Sequence, residues 1–112
     1  MKAPKAILSM LLALSVFGCG KPVPPEKSAY VGEWREKTMY LLITKDGAVR
    51  YKHLKGGVST SVEGPLKGFV GDNFEVGVGP VSMTFVVNKP PCQDGERWKM
   101  VVEDMKLTKT AQ

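Results

Sequence analysis

The sequence predicts an all-β fold, a small antiparallel meander of about eight strands that closes into a barrel or folds into a sandwich. Three observations lead there. Apolar and polar residues alternate over short runs, the period of a strand with one buried face. Turn residues such as Asp46-Gly47, Gly71-Asp72-Asn73 and Gly79-Pro80 divide those runs at roughly 8–12-residue spacing. From Tyr30 onward, no apolar 3.6-residue period lasts ten residues, so helix is nearly absent from the domain.

The first element stands apart from the rest. Lys2 and Lys5 precede an almost uncharged run from Ala6 to Phe17, followed by Gly18. A basic start, an apolar stretch and a small residue form the layout of a secretory signal helix. A spanning helix needs roughly 20 apolar residues, and this run is shorter. Val16-Phe17-Gly18-Cys19 resembles the lipobox of bacterial prolipoproteins. That resemblance implies cleavage between Gly18 and Cys19, acylation of Cys19, and attachment to a membrane through lipid. Phe17 is bulkier than the family pattern at its position. Gly20 stands where an aspartate favours inner-membrane retention, so the resemblance implies an outer-membrane lipoprotein facing the periplasm.

Three segments follow from this: residues 1–18 as signal peptide, 19–29 as a lipidated tether, and 30–112 as the β domain. Residues 20–29 include Pro22, Pro24 and Pro25 among polar residues. Such a stretch favours extended conformations at about 3.1 Å per residue, which would hold the domain about 25–30 Å from the bilayer. Loss of Lys2 and Lys5 with the leader leaves 14 basic against 11 acidic residues, a net charge of +3. Basic and acidic residues are interleaved, as in Arg35-Glu36-Lys37, with no basic stripe to bind nucleic acid.

Within the domain, Tyr30–Arg35 reads as the first strand. Met39, Leu41 and Ile43 alternate on the next, and Val49, Tyr51 and His53 on the one after. Asp46-Gly47 between them is a strong hairpin signal, because glycine tolerates the positive φ of tight hairpin turns. Val58–Val62 has strand composition and ends at Gly64-Pro65, an expected interruption. Leu66–Val70, then Phe74-Val76-Val78, then Met83-Phe85-Val87 follow with turns between them. Lys89–Glu96 reads as the longest loop. Trp98-Met100-Val102 and Met105–Thr110 complete the set. The alternating apolar residues are expected to fill the interior, leaving little room for a cavity in a barrel of such short strands.

Candidate chemistry is sparse. Gly32-Glu33-Trp34 resembles the Gly-x-Trp signature of lipocalin-like barrels, which implies that Trp34 closes one end and could border an apolar ligand. His53 is the single histidine, and with Cys19 acylated only Cys92 remains as a thiol. That set does not make a conventional zinc site, and no nucleophile elbow is present. Met39, Met83, Met100 and Met105 are expected in the core rather than on a soft binding surface. No cofactor or metal is expected, and nothing commits the domain to catalysis. Pro90, Pro91, Cys92, Gln93 and Asp94, on the long loop, are the candidate recognition residues. The expected function is therefore a non-enzymatic, lipid-anchored interaction module for an envelope protein or the cell wall. Small β-barrel lipoproteins that inhibit lysozyme show that class, although they rely on disulfides this chain lacks. The alternative is a lipocalin-like carrier of a small apolar ligand.

Overall fold

The computed structural model describes residues 20–111. After a short 3-10 helix, η1 (Pro25–Tyr30), come nine strands: β1 (Gly32–Arg35), β2 (Met39–Ile43), β3 (Ala48–Lys55), β4 (Val58–Val70), β5 (Asn73–Val78), β6 (Val81–Phe85), β7 (Val87–Asp94), β8 (Arg97–Val102) and β9 (Met105–Ala111). All pair antiparallel in one sheet of order β6-β5-β4-β3-β2-β1-β9-β8-β7. The all-β meander expected from the alternation is present, as a curled half-barrel.

Pairing of β1 with β9 joins the two ends of the meander. The seam falls between β6 and β7, which are consecutive in the chain yet form opposite edges of the sheet. Only Val86 separates them. Its carbonyl accepts the Glu103 N–H at 2.8 Å and its own N–H donates to Glu103 Oε2 at 2.7 Å. Beside it, the Val87 N–H donates to Asn73 Oδ1 at 2.8 Å. Side chains thus supply partners where the ladder stops, which a buried backbone requires. Glu103 and Asp104 both take positive φ, 50° and 66°, in the β8–β9 turn. That is the backbone of a type I′ hairpin formed without glycine.

The core lies on the concave face. Trp34, Leu41, Ile43, Phe74, Phe85, Val102 and Leu107 have no exposed surface. Phe74 and Phe85 stack with centroids 5.0 Å apart, and Phe85 meets Tyr51 edge-on at 4.9 Å. A β6 residue touching β3, three places away in the sheet order, shows how strongly the sheet curls. Tyr30 extends the file, packing edge-on against Phe69 at 4.9 Å.

Several local expectations change. Gly64-Pro65 does not interrupt a strand: β4 runs through it for 13 residues, with an irregularity between Leu66 and Gly68. Lys89–Asp94 is strand rather than loop, and only Gly95-Glu96 turns. Shifts in register around Lys89–Cys92 accommodate Pro90-Pro91, which lack N–H donors and are tolerated because β7 is an edge. Val78 and Met83, expected inside, are exposed, since among the described residues no element covers that end of the β5–β6 hairpin. The tether is also corrected. Residues 20–23 are bonded to the domain, and Pro25–Tyr30 is helical because proline presets φ for a first helical turn.

Candidate functional site

The site begins with the register of one hairpin. Phe74 pairs with Phe85, Val76 with Met83, and Val78 with Val81, all six on the concave face. Exposure rises along these pairs. Phe74 and Phe85 are fully buried, Val76 is covered while Met83 is 39% exposed, and Val78 and Val81 are 68% and 75% exposed. One face therefore passes from core to solvent within a single hairpin. Val62 and Gly64 on β4 continue the surface, so that Val62, Gly64, Val76, Val78, Val81 and Met83 line a shallow, mainly apolar groove together with Glu63, Pro65, Gly77 and Ser82. Isolated exposed apolar residues are ordinary, but a contiguous set marks an interaction surface.

Among the described residues no strand pairs with the outer side of β6, which borders this groove. Exposed edges normally carry lysine, proline or bulges that prevent pairing with another chain. Residues 81–85 carry none of the first two, and no charged residue occurs from Val76 to Asn88. The uncharged run is the signal in the sequence that could have pointed to this edge. It was obscured because the same residues also read as core.

The other edge is built differently. Pro90, Cys92, Gln93 and Asp94 are exposed and Pro91 is half-buried. Cys92 is an exposed thiol with no disulfide partner among the described residues. With two prolines and two register shifts, β7 is guarded against strand addition. Five of the six candidate recognition residues therefore share one strand, and Trp34 is not among that group.

Trp34 is fully buried. Its indole N–H donates to the Tyr30 carbonyl at 2.9 Å, which ties β1 to the last residue of η1. Lys109 lies against the same residue. Its ammonium sits 4.9 Å from the Trp34 ring centre and 5.6 Å from that of Trp98, and donates to the Ala29 carbonyl at 2.9 Å. Burial holds the Lys109 ammonium below its ordinary pKa. Cation–π contact and one carbonyl stand in for the missing carboxylate.

No group of three or more His, Cys, Asp or Glu side chains suited to a metal occurs among the described residues. His53 is half-buried, its ring 6.2 Å from that of Tyr51. Glu33 collects hydrogen bonds from Thr110, Tyr40 and Arg35, which hold its carboxyl below the usual range. These groups tie β1 to β9 and β2 and form no concave polar cluster. Gly18 and Cys19, the expected cleavage and lipidation residues, lie outside the described residues.

No protein-family model, curated protein or solved structure matches this chain.

Proposed function

We propose that this chain is a lipid-anchored envelope protein whose β domain is a non-enzymatic interaction module. Cys19 carries the lipid after cleavage behind Gly18, and the domain faces the periplasm from the outer membrane. The partner is an envelope protein that adds an extended segment alongside β6. The carrying observation is the unguarded edge: among the described residues no strand pairs with the outer side of β6, which is uncharged and bordered by exposed Val78, Val81 and Met83. Strand addition gains affinity from backbone hydrogen bonds and specificity from alternating side chains, and this edge offers both. The β7 edge, with Pro90 and Pro91, is poorly suited to it. The buried Trp34 gives the carrier alternative no support.

The test is photocrosslinking in the native membrane, with a photoreactive residue at Ser82 and, separately, at Gln93. A discrete protein adduct from Ser82 that disappears when Thr84→Lys is added supports the proposal. Thr84 is exposed beside Glu75, so that change places a charge on the edge without disturbing the core. An adduct from Gln93 alone returns the interface to β7. An adduct of two copies of this chain replaces the envelope partner with self-association. Intact mass of the detergent-extracted protein, beside Cys19→Ala, tests the anchor: acyl mass on a chain starting at Cys19 is expected, and a chain retaining residues 1–18 overturns it.

A further inference from the structure

We infer that the anchored domain lies directly on the bilayer, with the Gly20–Val23 segment and the β2–β3 turn facing anionic phospholipid headgroups. This rests on acylation of Cys19. The residues after that position are part of the folded surface. The Gly20 N–H donates to the Gly47 carbonyl at 3.0 Å, Lys21 N–H to the Leu66 carbonyl at 3.0 Å, and Val23 N–H to the Lys45 carbonyl at 3.1 Å. Leu66 N–H shares the Gly47 carbonyl at 2.8 Å, which closes the segment between the β2–β3 turn and β4. Val23 packs against the core, and η1 then carries Tyr30 into it. Three backbone bonds and two apolar contacts act within eleven residues, and no stretch is left over as a spacer.

The approach is too close for side chains. A Cβ at Gly20 would collide with the Leu66 backbone, and one at Gly47 with the Lys21 carbonyl. Gly47 also has φ +92°, a backbone conformation that disfavours any other residue. Gly20 is thus a packing requirement as well as the residue beside the lipid.

Geometry then places the membrane. Adjacent Cα atoms are about 3.8 Å apart, so a lipid on Cys19 starts within one residue of Gly20. The extended tether would have set that separation several-fold larger. Around Gly20, beside the acidic Asp46 and Glu26 (which lines one groove with Lys21), stand Lys21 and Lys45, both exposed. Their attraction to an anionic surface falls off within a Debye length, about 10 Å at 0.1 M salt. It orients a domain already held at the surface. The opposite end of β3, at Lys55, lies about 23 Å along the strand from Ala48.

The experiment uses the full chain, matured and lipidated in its own membrane, carrying Cys92→Ser and a single reporter cysteine. One version carries Asp46→Cys and the other Lys55→Cys. Each is labelled with a thiol-reactive donor, since acylated Cys19 is blocked, and reconstituted into phosphatidylcholine–phosphatidylglycerol vesicles holding an acceptor-labelled lipid. At least twofold greater energy transfer from position 46 than from position 55 is expected. Ten Gly/Ser residues inserted between Cys19 and Gly20 are expected to abolish the difference. Bound protein with equal transfer from both positions overturns the inference and leaves the anchor standing. Protein that takes label at Cys19 and does not float with the vesicles overturns the anchor, and the inference with it.

Discussion

The Trp34 indole donates its N–H to the Tyr30 carbonyl at 2.9 Å, binding the first strand to the helix that precedes it. Both residues are buried, Trp34 completely. Trp34→Phe keeps most of the volume but leaves that carbonyl unpaired, which costs about 1–3 kcal/mol. Trp34→Ala adds a cavity and costs about 3–5 kcal/mol. Chemical denaturation monitored by far-UV circular dichroism distinguishes the two. Equal losses would show that the hydrogen bond, and not the packing, dominates.

Tyr30 also makes the fold sensitive to alkali. Burial, reinforced by the neighbouring Asp72, pushes its hydroxyl up to about 12 from 10.0. The folded state keeps this proton while the unfolded chain releases it, so the stabilisation is present below pH 10.0 and disappears as pH rises toward about 12. Tyr40 and Tyr51 shift in the same direction, chiefly by burial. Lys109 acts oppositely. Its lowered value means the unfolded chain binds more protons just below pH 10.5, so that group alone favours folding as pH rises there. Denaturation midpoints measured between pH 8 and 12 should fall overall. Tyr30→Phe should flatten that fall.

The seam at Val86 hangs on two side chains. Asn73 Oδ1 accepts the Val87 N–H and Glu103 Oε2 accepts the Val86 N–H. Asn73→Ala strips a partner from a half-buried backbone group and should cost about 1–2 kcal/mol. Glu103→Gly removes a similar bond but relaxes the left-handed backbone at φ 50°, so a smaller loss is expected. Amide exchange should quicken at Val86 and Val87 in both variants before it does in β2. Uniform acceleration across the sheet would mean that the seam is not a separate weak point.

Cys92 lies on an exposed edge and contributes no packing. Cys92→Ser should change stability by less than about 0.5 kcal/mol, as surface substitutions do. In the native protein a maleimide reagent should consume this thiol within the folded state, at a rate unaffected by mild denaturant. Protection until global unfolding would show that the thiol is covered.

Much of the fold could be read directly from the residues. Period-2 alternation at Met39-Leu41-Ile43, Val49-Tyr51, Phe74-Val76 and Met100-Val102 marks which side chains enter the core, because a pleated strand sends alternate residues to opposite faces. Asp46-Gly47 and Gly79-Pro80 mark turns for the local reason that few residues accept such backbone angles. The site was less legible. Val78 and Met83 have the same pattern as Phe74 and Val76, and alternation alone does not say which part of a face is covered. The β7 strand was hidden behind Pro90-Pro91, whose tolerance depends on being at an edge.

The sequence by itself determined the class of strand, the turns and the buried face, since each follows from steric and solvation preferences within a few residues. The tertiary structure decided what depends on distant partners. It joined β1 to β9, left β6 and β7 as edges, and drew Gly20–Val23 onto Gly47 and Leu66. Proline content alone reads as an extended tether; only the neighbouring Gly47, Leu66 and Lys45 carbonyls, and the helical turn at Pro25–Tyr30, make that segment part of the domain.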